Sequence, residues 1–327
     1  MALKMEITVE RWPIAGTFTI SRGSKTEAAV VVFTLTDSGF LGRGECVPYA
    51  RYGESLDSVC AEIEKLRDAL ADGATRDDLP GLIGAGAARN AVDCALWDLE
   101  AKRTGRSVSD IVGLPRLHEL STAVTVSFGD AQAMAASTKG FANRPLIKVK
   151  VGGENDAERI RAVAEAAPAS RIIIDANEGW NDDNIVENML AAAKAGVVLI
   201  EQPLPAGKDE ILAKIPHPVP ICADESAHGT DDLHTLLGRY DSINIKLDKT
   251  GGLTEALRMQ KRARELGFGI MVGCMVGTSL AMAPAVLVAQ DADFVDLDGP
   301  LILREDRKPG LVFEGSRVSP PQPELWG

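Results

Sequence analysis

The sequence lacks an excess of positive charge, paired cysteines, a long apolar run and a glycine-rich phosphate loop. Lys and Arg number 35 against 47 Asp and Glu, a net charge of −12. That balance argues against nucleic acid or an anionic membrane as partner, since both demand basic patches. A small anion in a locally positive pocket stays compatible with it. The five cysteines, Cys46, Cys60, Cys94, Cys222 and Cys274, are scattered with no CxxC pair. Such spacing fits reduced cytosolic thiols and neither a disulfide framework nor a zinc site. The start, Met1-Ala2-Leu3-Lys4-Met5-Glu6, has no basic flank followed by an apolar stretch. No run approaches the ~18 apolar residues of a membrane span. The expected compartment is the cytoplasm and the expected partner a small molecule; assembly state is open, a homo-oligomer being compatible.

What is present is a chain of 327 residues, 45% apolar and 25% charged. That is long for one core and implies a large domain with an added module. Residues 5–50 read as antiparallel strands: Glu6 to Glu10 alternates, Ala28 to Leu35 is β-branched, and Asp37-Ser38-Gly39 signals a turn. Residues 54–72 and 86–104 read as helices, the second with Ala91, Ala95, Leu96 and Leu99 at helical spacing and Gly105 as its stop. This block, 1–118, is assigned to an α+β domain. From about residue 119 apolar strands begin near Thr122, Leu146, Arg171, Val197, Pro220, Ser242, Gly269 and Phe294. Helical stretches at 155–167, 182–195, 230–239 and 253–266 lie between them. Eight strands alternating with helices imply an α/β fold with a parallel barrel over 119–299. An open doubly wound sheet is the competitor, but no G-x-G-x-x-G follows an early strand. The Pro- and Gly-rich tail, 300–327, is expected to wrap back and complete the first domain.

Charged groups recur at the ends of the strands. Asp175 to Glu201 is 26 residues, Glu201 to Asp224 is 23, and Asp224 to Lys246 is 22. One strand, one helix and two turns take roughly that many, so these groups converge on one mouth, where such barrels do their chemistry. Three carboxylates on neighbouring strands about 5 Å apart would repel unless compensated. Oxygen donors without His or Cys suit a hard divalent cation, with Mg²⁺ the leading choice. Lys148 and Lys150, two apart on one strand, face the same side. Lys246 ends a strand across the barrel. A buried lysine beside another cation is expected to have a lowered pKa and to serve as a base. Lysines on both faces of a substrate suit removal and return of a proton at one carbon. A divalent cation would stabilise the charge that develops when a carbon beside a carboxylate is deprotonated.

Lys148-Val149-Lys150, Asp175-Ala176-Asn177, Glu201-Gln202-Pro203, Ala223-Asp224-Glu225-Ser226 and Asn244-Ile245-Lys246-Leu247-Asp248-Lys249-Thr250-Gly251-Gly252 together resemble the signature of the muconate-lactonizing subgroup of the enolase superfamily. In that superfamily a Lys or His base with Mg²⁺ is a known pattern. Gly42-Arg43-Gly44-Glu45 and the segment Ala91 to Asp98 resemble its capping-domain segments. The resemblance implies an α+β cap, closed by the tail, over a (β/α)₇β barrel. It implies one Mg²⁺ on Asp175, Glu201 and Asp224, with Lys150 and Lys246 as acid/base catalysts and Asn177 and Glu225 as accessory groups. All four histidines precede the seventh strand, which sets aside the mandelate-racemase subgroup with its late His–Asp pair.

Asp296-Leu297-Asp298 places two further carboxylates at the eighth strand. Such a pair can receive an ammonium and resembles the Asp-x-Asp with which dipeptide epimerases hold the peptide amine. The loop Phe18 to Glu27 resembles the mobile cap loop of epimerases acting on L-Ala-D/L-Glu, where Arg22 would grip a side-chain carboxylate. Lys148 is assigned to substrate binding. The expected activity is Mg²⁺-dependent dipeptide epimerisation. N-Acylamino-acid racemase, o-succinylbenzoate synthase and cycloisomerase activities, which need no ammonium site, are the alternatives.

Overall fold

A computed structural model describes residues 3–114 and 116–327; Met1, Ala2 and Pro115 lie outside the described residues. The amino-terminal segment forms three antiparallel strands, β1 (Lys4–Ile20), β2 (Gly23–Asp37) and β3 (Phe40–Cys46). The register runs from Lys4 opposite Thr36 to Pro13 opposite Glu27, slips, and resumes with Phe18 opposite Lys25. The β2–β3 turn falls at the expected Ser38-Gly39, both with positive φ (52° and 90°), which matches the twist of a tight hairpin. The Ala87–Thr104 helix covers this sheet and ends where expected, at Gly105 with φ 66°. A Cβ on Gly44 would stand 2.0 Å from the carbonyl oxygen of Ala91, and one on Gly42 2.2 Å from that of Ala95. Hydrogen alone fits there, so β3 lies directly on the helix backbone. The helix expected over 54–72 is interrupted. It divides into Leu56–Glu64, started by a Ser55–Ser58 capping box, and Arg67–Ala71. The break is a tightened turn in which Leu66 N–H donates to Ile63 O at 3.1 Å.

The barrel strands are β4 (Val124–Val126), β5 (Leu146–Lys150), β6 (Arg171–Asp175), β7 (Leu199–Glu201), β8 (Ile221–Ala223), β9 (Ser242–Ile245), β10 (Gly269–Gly273) and β11 (Phe294–Asp296). They pair in parallel in chain order. Ala123 N–H donates to Val295 O at 2.8 Å and joins the last strand to the first. All eight expected strands are present. Ala123, Leu146, Ile173, Leu199, Cys222 and Met271 form an apolar plug low in the barrel. The residues two further along β5, β6 and β7 are Lys148, Asp175 and Glu201, so period-two alternation alone carries those inner faces from apolar to charged. The helices expected at 155–167, 182–195 and 253–266 appear as Asp156–Ala166, Ile185–Lys194 and Leu253–Glu265. The stretch 230–239 is shorter than expected, a 3₁₀ turn plus Leu233–Leu236, stopped by Gly238 at φ 77°. Between β7 and β8 only the 3₁₀ segment Glu210–Lys214 forms, because five prolines between 203 and 220 remove backbone donors.

The tail runs back along the first sheet. Leu303 bridges Ile14 and Arg304 N–H donates to Pro13 O at 2.8 Å. Trp326 is buried, its indole donating to Cys94 O at 2.9 Å, and Gly327 N–H donates to Asp98 Oδ1 at 2.7 Å. The architecture is a (β/α)₇β barrel with an α+β layer across its mouth. Among the described residues no helix is long and apolar enough to cross a membrane.

Candidate active site

The acids reach one level through the register. Asp175 lies opposite Glu201, but Glu201 lies opposite Cys222, so Asp224 stands two residues further along its strand. Ser242 also lies opposite Cys222, so Lys246 is advanced again. Strands tilted in a barrel need this advance to bring their ends to the same height. All of Lys148, Lys150, Asp175, Glu201, Asp224, Lys246, Asp296 and Asp298 are buried there.

Charge pairs link them. Lys148 Nζ lies 2.6 Å from Glu201 Oε2, 2.8 Å from Asp296 Oδ2 and 3.2 Å from Asp175 Oδ2. Lys150 Nζ lies 2.6 Å from Asp175 Oδ2, and Lys246 Nζ lies 2.6 Å from Asp224 Oδ2. Asp298 Oδ2 accepts from Thr125 N–H at 2.8 Å. Burial alone would raise the acids, yet Lys150 and Lys148 hold Asp175 at about 2. Asp224 is held low by Lys246 and Lys249 against the same burial. Glu201 is pushed up to about 7 by burial and then by the charge of Asp175. Asp298 is pushed up to about 7 by burial and then by Asp296. The expected lowering of the lysines does not hold for Lys148 and Lys246. Burial favours their neutral forms, but the carboxylates around them win and raise both well above the usual lysine range. With the carboxylate charge neutralised, burial and mutual repulsion would act alone and the direction would reverse.

Among the described residues no three Asp, Glu, His or Cys side chains meet around a single point. Asp175, Glu201 and Asp224 each turn towards an ammonium instead. The donor set nonetheless fits a hard cation: three buried carboxylates, none of them hydrogen-bonded to sulfur or imidazole. Six carboxylates at the mouth (Asp175, Glu201, Asp224, Glu225, Asp296, Asp298) face four lysines and Arg22. Of the three acids assigned to the cation, Glu201, held near 7, is the one most in need of another positive charge.

Above this layer lies a cavity of ≈ 700 Å³. Lys150, Asp224 and Lys246 line its barrel side; Phe18, Arg22, Lys25, Tyr49, Arg51 and Tyr52 line its cap side. Lys150 Nζ lies 5.9 Å from the Phe18 ring. Arg22 reaches the mouth, where its guanidinium donates to Asn177 O at 2.7 Å, Glu225 Oε1 at 2.8 Å, Tyr49 Oη at 3.0 Å and Glu178 Oε2 at 3.2 Å. Asn177 N–H donates to Asp175 Oδ1 at 2.9 Å, which orients that carboxylate.

Three contributors were not legible as such. Lys249 donates to Asp224 Oδ1, Asp224 O and Asn244 O, and one helical turn after Lys246 was the available signal. Asn244 Nδ2 donates to Glu201 Oε1 at 2.8 Å, and its two-residue offset from Lys246 was the clue. Gln202 accepts from Asp224 N–H and Ser226 N–H through Oε1 and donates to Tyr240 Oη and Leu204 O. It fixes the β8 end that carries Asp224, and nothing in its position alone announces this.

Comparison with known proteins follows the same lines. A family model described as mandelate racemase / muconate lactonizing enzyme, N-terminal domain, matches residues 2–113, and one described as enolase C-terminal domain-like matches 130–323. The chain is similar to an L-Ala-D/L-Glu epimerase of Escherichia coli (strain K12), 46% identical over 94% of this chain and 97% of that one. It is 45% identical to an N-acetyl-D-glutamate racemase of Pseudoalteromonas sp, over 91% of this chain and 95% of that one. A crystal structure of an enolase family member from Agrobacterium tumefaciens with homology to dipeptide epimerases, holding sodium and L-Ala-L-Glu with an ordered loop, superposes with TM-score 0.98. The two are 60% identical over 99% of this chain and 100% of that one. A dipeptide epimerase from Cytophaga hutchinsonii, complexed with Mg and D-Ala-L-Val, has TM-score 0.91 and 30% identity over 98% and 94%.

Proposed function

Because the chain belongs to the mandelate racemase / muconate lactonizing enzyme family of the enolase superfamily, we propose that it is a Mg²⁺-dependent dipeptide epimerase acting on L-Ala-D/L-Glu. The observation that carries this reading is that Lys150 and Lys246, from β5 and the end of β9, line one cavity together with Asp224. The α-carbon of a dipeptide's second residue sits between them. One lysine, as the free amine, takes the α-proton, and the other, as the ammonium, returns one to the opposite face. Asp175, Glu201 and Asp224 would hold the Mg²⁺, which when bound would supply positive charge against a carboxylate beside the carbon that loses its proton. Lys148, one layer above the apolar plug, lies between Glu201 and Asp296 and keeps both carboxylates in place. Asp296 and Asp298 receive the ammonium of the first residue, and Asp298, otherwise near 7, gains the partner that ionises it. Arg22 and Glu225 close the hairpin over the bound molecule. The five cysteines, all unpaired, support a cytoplasmic setting.

A second reading has one observation in its favour: the 45% identity to an N-acetyl-D-glutamate racemase, whose named substrate has no free amine. It uses the same lysines. Incubation in D₂O with L-Ala-L-Glu and with N-acetyl-L-glutamate separates the two. Faster deuterium uptake at the α-carbon of the dipeptide is the expected result, and preference for the acetylated compound reassigns the activity.

A further inference from the structure

Lys150 ends β5, and the chain leaves that strand through Val151, Gly152 and Gly153. Both glycine N–H groups donate to one oxygen, Asp156 Oδ2, at 2.7 and 3.0 Å. The same oxygen accepts the indole N–H of Trp180 at 2.8 Å. Trp180 lies on the exit of β6, the strand that carries Asp175. The two exits also meet through their backbones, since a Cβ on Gly179 would stand 2.5 Å from Gly152 Cα. The other oxygen, Asp156 Oδ1, accepts from Arg159 Nη1 at 3.0 Å. Arg159 Nε donates in turn to Gly129 O at 2.7 Å, past the end of β4, and its guanidinium lies 4.7 Å from the centre of the Phe128 ring. One carboxylate, 1% exposed, thus ties together the exits of three consecutive strands. The described residues that line the cavity do not include it. A buried anion held by four N–H donors is a stiff anchor, because releasing any donor leaves a buried polar group without its partner.

We propose that Asp156 is a positioning residue for Lys150, setting the height and direction at which β5 delivers that lysine to the cavity. This rests on the epimerase reading and adds to that reaction a residue that touches no reacting atom. Lys150 lies two residues before the first anchored amide, and its Nζ is held from the other side by Asp175 Oδ2 at 2.6 Å. Lys246 depends on a separate set of bonds, in which Lys249 Nζ donates to Asn244 O at 2.8 Å and to Asp224 Oδ1. Loss of the Asp156 anchor therefore displaces one of two opposed lysines and leaves the other in place. A displacement of about 1 Å costs a positioned group on the order of a hundredfold in rate.

The experiment follows the α-proton of L-Ala-L-Glu and of L-Ala-D-Glu in D₂O, with exchange read by mass spectrometry and inversion by polarimetry. The wild type is compared with Lys150→Ala, Asp156→Ala, Asp156→Asn and Asp156→Glu. The epimer that Lys150→Ala still exchanges is the one whose proton faces Lys246. For Asp156→Ala we expect inversion in both directions, and exchange on the epimer facing Lys150, to fall about tenfold to a hundredfold. Exchange on the epimer facing Lys246 falls far less, and KM is little changed. Asp156→Asn keeps an oxygen where Oδ2 accepts and stays near wild type. Asp156→Glu keeps the charge but moves the carboxylate by one methylene, and shows the same one-sided loss even where the alanine variant fails to fold. Equal loss on both epimers marks a merely structural residue and overturns the assignment, as does unchanged exchange on both; the epimerase reading stands in either case. An asparagine variant as impaired as the alanine one overturns it too. A wild type that exchanges neither dipeptide overturns both readings.

Discussion

Lys249 Nζ lies 2.6 Å from the backbone carbonyl oxygen of Asp224 and 2.6 Å from its Oδ1. One ammonium thus fixes both the course of the chain at the end of β8 and the direction of its carboxylate. The third acceptor, Asn244 O at 2.8 Å, ties the same ammonium to β9. Lys249→Met should leave the Asp224 and Asn244 carbonyls without this donor and strip one positive charge from a buried acid. Breaking a buried pair of this kind costs about 3–5 kcal/mol. Urea unfolding should show a loss of that order, and Mg²⁺ titration should show altered affinity, since Asp224 loses its anchor. A variant as stable as the wild type would mean that Lys249 is a bystander.

The two lysines at the cavity wall should fail separately. Lys150→Ala and Lys246→Ala are each expected to abolish epimerisation, because inversion needs a proton donor and an acceptor on opposite faces. Each variant should keep slow α-deuterium exchange on the one epimer whose proton faces the surviving lysine. Polarimetry reads inversion and mass spectrometry reads exchange, so the two quantities come from one incubation. Normal turnover in both directions by either variant would end the two-base scheme.

Most of this site was readable as strand-end chemistry. Lys150, Asp175, Glu201, Asp224 and Lys246 each follow an apolar β-branched run, and period-two alternation dictates that they face inward with Lys148 and Ile173. The eight strands were legible for the same reason. What the alternation does not encode is the exchange of hydrogen bonds among neighbours. Lys148 reads as a lysine of lowered pKa only if its carboxylate partners are ignored; once Asp296, Glu201 and Asp175 are placed, the balance is reversed. The truncated helices near 210 and 233 were obscure because proline and glycine mark where a helix cannot continue, without giving the length that remains. Gly42 and Gly44 read as part of a motif, and their cause, contact with the carbonyls of Ala91 and Ala95, exists only in three dimensions.

Removal of divalent cation should abolish turnover and lower stability together. Glu201, held near 7 by burial and Asp175, loses the charge that would keep it ionised. Treatment with EDTA should eliminate deuterium exchange, and Mg²⁺ should restore it while raising Tm by mass action. Full activity in chelator would detach the three carboxylates from metal binding.

Asp248 provides a stability test away from the acids assigned to the metal. Burial raises it to about 7, while Val47 N–H and Asn90 Nδ2 both donate to its Oδ1. The folded chain therefore binds a proton more tightly than the unfolded one, whose aspartates titrate near ~4. The associated stability is complete below ~4 and is lost as pH rises through 7. A shift of three units corresponds to about 4 kcal/mol at most. Asp248→Asn keeps the accepting oxygen and removes the titration. Its Tm should fall less than that of the wild type between pH 5 and 8. Parallel curves would show that Asp248 is ionised throughout.

The tail closes the cap, and Trp326 is where it does so. The ring is buried, and its Nε1–H reaches Cys94 O in the middle of the long cap helix. Trp326→Ala should cost about 3–5 kcal/mol by emptying a large core volume and orphaning that donor's partner. Two neighbours make the loss local. Arg43 Nη2 still donates to Leu325 O at 2.7 Å, and Gly327 N–H still donates to Asp98 Oδ1. None of the acids assigned to the metal takes part in this contact, so a folded Trp326→Ala should retain its Mg²⁺ affinity while its unfolding midpoint drops. A fall in Mg²⁺ affinity equal to that of Lys249→Met would show instead that the tail and the barrel mouth unfold as one unit.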